Sequence, residues 1–207
     1  MKILITGVSS GLGKSFSRLE EPDIDIIGVS RNSFSEKIVS YHEFEKMHSP
    51  DVIILNAAIG DFGVDFFNMS ESDLTEIITV NLIKPISFVL SLYKNSLLNN
   101  LKSIIIIGSR FSSISYISST LKEDIPGYGY CISKVALSVF TELIRKENFD
   151  FSVNIIHPGI LNSQLGNISG FDTDETAKKL LNKIKSNIFL EQIDGIYDLQ
   201  NETIINY

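Results

Sequence analysis

Lys2-Ile3-Leu4-Ile5-Thr6-Gly7-Val8-Ser9-Ser10-Gly11-Leu12-Gly13 begins with an unbroken aliphatic run, turns on glycines and leads into a helical pattern. An apolar run without alternation suits a strand covered on both faces, as in a parallel sheet. Gly7 permits a tight exit from the strand. Gly11 lets the backbone approach a pyrophosphate with no Cβ in the way, and Gly13 allows close helix–strand contact. The amino end of the helix opening near Leu12 adds free N–H groups and positive dipole charge. Glycine triplets arise by chance in ordinary strand–helix turns. This one directly follows a strand that starts at residue 2, the setting that dinucleotide binding requires.

The same alternation repeats down the chain. Asp25–Val29, Val52–Asn56, Ser103–Gly108 and Ser152–His157 are near-continuous apolar runs, and Leu12–Leu19, Ser70–Leu98, Tyr128–Glu147 and Asp174–Lys185 carry helical patterns between or after them. Ile38–Tyr41 fits a further short strand, and Ile196–Leu199 or Thr203–Asn206 a last edge. Strand, helix, strand repeated in this way predicts an α/β fold: a doubly wound parallel sheet between helical layers, Rossmann-type. No tract rich in Pro, Gly or Ser divides residues 1–207, so we expect a single domain, with Ser109–Thr120 as an elaborated loop at a strand's carboxyl end.

Composition narrows the function classes. The chain has 207 residues, enough to bury a core without disulfide or metal staples. A formal charge of −7 argues against a chain-wide footprint for nucleic acid or an anionic membrane. Cys131 is the one cysteine, and the three histidines, His42, His48 and His157, lack metal-ligand company, so no metal site is expected. The stretch Ile77–Tyr93 is apolar but contains Asn81, Lys84 and Pro85, and reads as a core-packed helix pair rather than a membrane span. These features suit a reducing cytoplasm.

Tyr130 and Lys134 stand four apart on an expected helix, so both project from one face. A phenol near its ordinary pKa of about 10 is a poor proton donor at neutral pH, and a nearby ammonium lowers that value. Of the seven tyrosines only Tyr130 has a basic residue four positions on, and Ser109 precedes it at a strand's end.

Six segments in order now resemble the short-chain dehydrogenase/reductase family. They are Thr6-Gly7-x3-Gly11-x-Gly13; Leu55-Asn56-Ala57-Ala58; Asn81 within Thr79-Val80-Asn81-Leu82; Ser109; Tyr130-x3-Lys134; and Pro158-Gly159-Ile160 with Ser163. The resemblance implies that Tyr130 exchanges a proton with the substrate oxygen and that Lys134 tunes it and binds the nicotinamide ribose. It implies further that Ser109 holds the substrate oxygen, and that Asn81 shapes the helix and positions a water relaying protons to Lys134. Cofactor contacts are implied for Gly7, Ser9, Ser10, Gly11, Leu12, Gly13, Ser30, Arg31, Asn56, Ala57, Ala58, Tyr130, Lys134, Pro158, Gly159, Ile160 and Ser163.

The expected reaction is hydride transfer between a nicotinamide and a small carbonyl/alcohol substrate. The cofactor is expected to be NADP(H), with NAD(H) left open. The second strand ends at Ser30-Arg31-Asn32 with no acidic residue until Glu36, and a guanidinium suits a 2′-phosphate. The competing readings are a catalytically inactive dinucleotide-binding regulator or scaffold, and a dehydratase or epimerase, for whose larger substrate domain the chain has no room. The apolar faces of Ser70–Leu98 and Tyr128–Glu147 resemble helices that this family pairs across a two-fold axis, which implies a homodimer or homotetramer. Departures from the family pattern are a longer Ser109–Tyr130 spacing, a short Arg31–Pro50 stretch that leaves adenine contacts unnamed, Ala58 in place of glycine and Ser163 in place of threonine.

Overall fold

In the computed structural model, which describes residues 1–31, 37–43, 47–163 and 169–207, eight strands form one sheet in the order β3-β2-β1-β4-β5-β6-β7-β8. The strands are β1 (Lys2–Thr6), β2 (Asp25–Ser30), β3 (Ile38–Ser40), β4 (Val52–Leu55), β5 (Ser103–Ile107), β6 (Ser152–His157), β7 (Ile196–Asp198) and β8 (Thr203–Ile205). All neighbours pair parallel except β7 and β8, which form an antiparallel hairpin. Both candidate last edges are therefore strands. Asn32 and Glu36, used above to read the end of β2, lie outside the described residues.

The unbroken aliphatic runs are explained by two cores. Ile3, Ile5, Ile54, Ile105 and Ile156 point to one face, against α1 (Gly11–Ser17) and α6 (Thr173–Lys185). Leu4, Ile53, Ile104, Ile106 and Ile155 point to the other, against α3 (Lys84–Lys94) and α5 (Tyr128–Arg145). A strand clad on both sides has no polar face to alternate with. Because β1 lies between β2 and β4, the winding reverses there, and a crevice opens at the strands' carboxyl ends.

Two expectations change. The stretch expected as a core-packed helix pair is one run: α2 (Glu71–Ile78), a π-helical turn (Thr79–Ile83) and α3. Pro85 has no N–H to give the carbonyl of Asn81, so the α ladder cannot pass through Asn81 unbroken. Nor is the run core-packed. By length and composition Glu71–Lys94 would suffice to cross a membrane, yet only 22% of its apolar window is buried. Phe88, Val89 and Leu92 enter the core, whereas Ile83, Leu90 and Tyr93 stay exposed. The loop expected at Ser109–Thr120 contains a 3-10 turn (Arg110–Ser112) and the short helix α4 (Ile114–Ser119). Ser113 begins α4 by accepting the Tyr116 N–H at 3.0 Å.

Candidate active site

The glycine turn is shaped from beneath by β4. Thr6 Oγ1 accepts the N–H groups of Asn56 (3.0 Å) and Ala57 (3.2 Å), while Asn56 Nδ2 donates to the carbonyls of Thr6 (3.0 Å) and Gly7 (3.2 Å). Gly7 has φ +74°, and a Cβ there would stand 2.6 Å from Ala57 Cα. A side chain is therefore excluded both by conformation and by space. Asn56, expected as a cofactor contact, also shapes the turn through its Nδ2 donor. Around the turn, Ser9 and Ser10 are exposed, Leu12 and Gly13 are buried, and Ser163 comes within 3.5 Å of the position a Gly11 Cβ would take. That contact brings the Pro158-Gly159-Ile160 loop to the glycine turn. Ala57 and Ala58 are half-buried along the same crevice, Ser30 is buried at the end of β2, and Arg31 is exposed just beyond it. Exposed hydroxyls, a glycine turn whose strand exit excludes a side chain, and an exposed guanidinium fit a phosphate-bearing dinucleotide.

At the ends of β5 and α5 the residues are buried and bonded to one another. Ser109 follows β5 and is held by a reciprocal cap: its N–H donates to Ser112 Oγ at 3.0 Å, and its Oγ accepts from Phe111 N at 3.2 Å. The Ser109 hydroxyl faces the Tyr130 phenol and favours its ionised form. Lys134, one turn along α5, is 2% exposed, and its Nζ donates to the Ile107 carbonyl at 2.9 Å and lies 5.5 Å from the Tyr130 ring centroid. An ammonium has three donors, so two remain for other partners. The structure thus brings Ser109, Tyr130 and Lys134 together.

Asn81 joins them indirectly. Its Nδ2 donates to the Ile59 carbonyl (2.8 Å) and Ser133 Oγ (2.9 Å), and its Oδ1 accepts the Ile59 N–H (2.8 Å). The side chain is fully used in tying the loop after β4 to α5. Any proton relay through Asn81 has to run through its backbone.

Burial pushes the Tyr130 phenol above its ordinary value, with the Ser109 hydroxyl pulling the other way. Burial lowers Lys134 to about 8. The Lys134 ammonium donates to the Ile107 carbonyl, and burial sets the direction of the phenol's shift.

Sequence reading missed three residues. Asp61, 7% exposed, accepts the N–H of Gly129 (2.8 Å) and of Tyr130 (3.0 Å), one on each carboxylate oxygen. It caps α5 from a loop 69 positions away, in place of a local N-cap side chain. Gly127 leaves room for it, since a Cβ there would stand 2.2 Å from Asp61 Oδ1. Ser133 passes a bond to the Tyr130 carbonyl (2.7 Å). Phe62 lays its ring 5.4 Å from that of Tyr130. An aspartate after a strand and a Gly-x-Gly before the tyrosine are the only traces these contacts leave in the sequence.

No protein-family model and no curated protein matches the chain. Among solved structures it is similar to a carbonyl reductase from Pseudomonas aeruginosa PAO1, at 16% identity and TM-score 0.77 over 100% of this chain and 99% of that one. It is similar to a short chain dehydrogenase family protein from Francisella tularensis at 23% identity and TM-score 0.62, covering 90% and 76% of the two chains. A third likeness is to BdcA in complex with NADPH, at 16% identity and TM-score 0.70 over 95% and 92%. The chain has the short-chain dehydrogenase/reductase fold.

Proposed function

We propose that the chain is an NADP(H)-dependent oxidoreductase of the short-chain dehydrogenase/reductase family acting on a small carbonyl/alcohol pair. The observation that carries this reading is the Ser109 hydroxyl facing the buried Tyr130 phenol, with the Lys134 ammonium 5.5 Å from the phenol ring, at the carboxyl end of the sheet. When bound, the nicotinamide supplies or takes the hydride. Ser9, Ser10, Gly11, Leu12 and Gly13 would hold its phosphates, Ala57, Ala58, Pro158, Gly159, Ile160 and Ser163 would flank it, and Arg31 beside Ser30 would meet the 2′-phosphate. Two of the similar structures are described as a carbonyl reductase and as an NADPH complex, which agrees with this choice.

The residues divide the proton work. Ser109 donates to the substrate oxygen and orients it. Tyr130 gives that oxygen its phenolic proton during reduction and takes it back during oxidation. Burial keeps the phenol protonated at neutral pH, the form from which carbonyl reduction starts. Lys134 balances the charge left on the phenolate. Asp61, Asn81 and Ser133 fix the first turn of α5, so the phenol meets Ser109 in one geometry. The test is loss of reduced-nicotinamide absorbance on mixing protein, NADPH and a panel of aldehydes and ketones. Absence of turnover across the panel at saturating NADPH overturns the reading.

We also propose a homodimer or homotetramer assembled through the outer faces of α3 and α5. Ile83, Leu90 and Tyr93 on one side and Ile132, Val139 and Leu143 on the other are exposed, so these faces are not used up against the chain's own sheet. A monomer mass by light scattering at micromolar concentration contradicts this assembly.

A further inference from the structure

Resting on the oxidoreductase reading, we infer that an aromatic strip at the mouth of the site receives the substrate, and that the substrate is an uncharged aromatic aldehyde or ketone. The strip starts at the proposed proton donor, where Phe62 is 43% exposed with its ring against that of Tyr130. A second ring pair joins the same loop to the start of α5, where Phe66 meets the Tyr128 ring edge-on at 5.8 Å. Phe66 in turn meets Phe67 at 5.5 Å with the planes at 80°.

The rings are held outward by the backbone beneath them. Asp65 Oδ1 accepts the N–H groups of Phe67 (3.0 Å) and Asn68 (3.1 Å), and Asn68 Nδ2 adds a third bond to the same oxygen at 2.9 Å. This cap winds Phe66–Asn68 into a 3-10 turn that leaves Phe66 58% and Phe67 90% exposed. The loop is tied to the chain entering α5 by the Gly63 N–H to Pro126 carbonyl bond at 3.0 Å. A built turn that presents two rings to solvent, in the loop whose Phe62 lies against the proposed proton donor, has a use beyond its own packing.

Charge narrows the occupant. From Gly60 to Ile83 the chain has five acidic residues, Asp61, Asp65, Glu71, Asp73 and Glu76, and no Lys or Arg. A segment this acidic disfavours a carboxylate or phosphate beside Phe62 and Phe66, whereas a neutral ring gains edge-to-face contacts. The carbonyl would lie at Tyr130 and Ser109, with the ring on Phe62 and Phe66.

The experiment compares NADPH-dependent reduction of benzaldehyde, 4-carboxybenzaldehyde and glyceraldehyde by the wild type and Phe66→Ala, alongside saturation-transfer NMR of benzyl alcohol with NADP present. We expect kcat/KM for benzaldehyde to exceed both others by at least about tenfold, and the benzaldehyde-to-glyceraldehyde ratio to fall by about three- to tenfold in Phe66→Ala. Turnover without that preference, or an unchanged ratio in the variant, overturns the inference and leaves the oxidoreductase reading standing. No turnover, but benzyl alcohol binding that weakens in Phe66→Ala, overturns the oxidoreductase reading and supports the aromatic site. Neither turnover nor binding overturns both. A smaller assembly mass for Phe67→Asp by light scattering, with no change in the substrate ratio, assigns the strip to a second copy and overturns the inference.

Discussion

The two ends of the crevice are built by opposite means. At the β5–α5 end the polar side chains are buried and hydrogen-bonded within the protein: Ser109 to Ser112, Lys134 to Ile107, Asn81 to Ile59 and Ser133, and Asp61 to the start of α5. At the β1–β2 end, backbone shape does the work, and Ser9, Ser10 and Arg31 are exposed. Proton transfer needs donors fixed to a fraction of an ångström, which packing and internal hydrogen bonds supply. Recognition of a long anion needs a smooth turn with hydroxyl and guanidinium groups along it. Substitutions at the first end should therefore disturb stability and turnover together, and those at the second cofactor affinity alone.

The largest departure from that coupling is expected at Lys134. Depression of its pKa from 10.5 to about 8 by burial corresponds to roughly 3 kcal/mol of instability at neutral pH. The unfolded chain binds the proton more tightly, so this cost is fully present below pH 8 and disappears as pH rises through 10.5. Lys134→Met should lose turnover by about a hundredfold or more. In urea titrations it should be more stable than the wild type by up to about 3 kcal/mol at pH 7 and by little near pH 10.5. A less stable Lys134→Met at pH 7 would show that the buried ammonium is better solvated than its single bond suggests.

Arg31→Ala samples the other end. A charge-assisted bidentate contact is worth about 1.5–3 kcal/mol, so NADPH should bind about ten- to a hundredfold more weakly, NADH should be nearly unaffected and the unfolding midpoint should not move. Wild-type protein that binds NADH as tightly as NADPH in calorimetry removes Arg31 from the site.

Asp61→Ala strips the cap from α5 and leaves two buried N–H groups unpaired. We expect a loss of about 2 kcal/mol and at least about tenfold in kcat, with KM for NADPH little changed. Ser9→Ala, of similar chemical size on an exposed turn, should stay within about 0.5 kcal/mol. Equal stability losses in the two variants erase the contrast between the ends.

The smallest effect concerns pH. Reduction requires Tyr130 protonated and Lys134 charged. Burial keeps the phenol protonated well into the alkaline range, so Lys134 sets the limit, and kcat for reduction should decline above about pH 8. A profile flat to pH 10 counts against a charge-balancing role for Lys134.

Legibility in the sequence follows the range of the interactions. The sheet is readable because each strand is clad on both faces, leaving runs such as Ile104–Ile107 with no polar residue. Tyr130 and Lys134 are readable because helical spacing alone puts them on one face. Asp61 is not, since its partners sit 68 and 69 positions away and carboxylates in loops are common. The π-turn at Thr79–Ile83 hides in a proline four residues after Asn81, a local signal that reads equally well as a break between two helices. The phenol's direction of titration is set by its burial, which helical spacing does not reveal.

The central claim, that the residues around Tyr130 form a proton-transfer site serving a bound nicotinamide, is tested most directly by pairing wild type with Tyr130→Phe at equal NADPH occupancy. The phenol's proton matters in the transition state and little in the ground state. Absorbance loss on a reducible aldehyde should be readily measured for the wild type and lower by about two or more orders of magnitude for the variant, with NADPH affinity unchanged. Turnover by Tyr130→Phe near the wild-type rate would contradict the account.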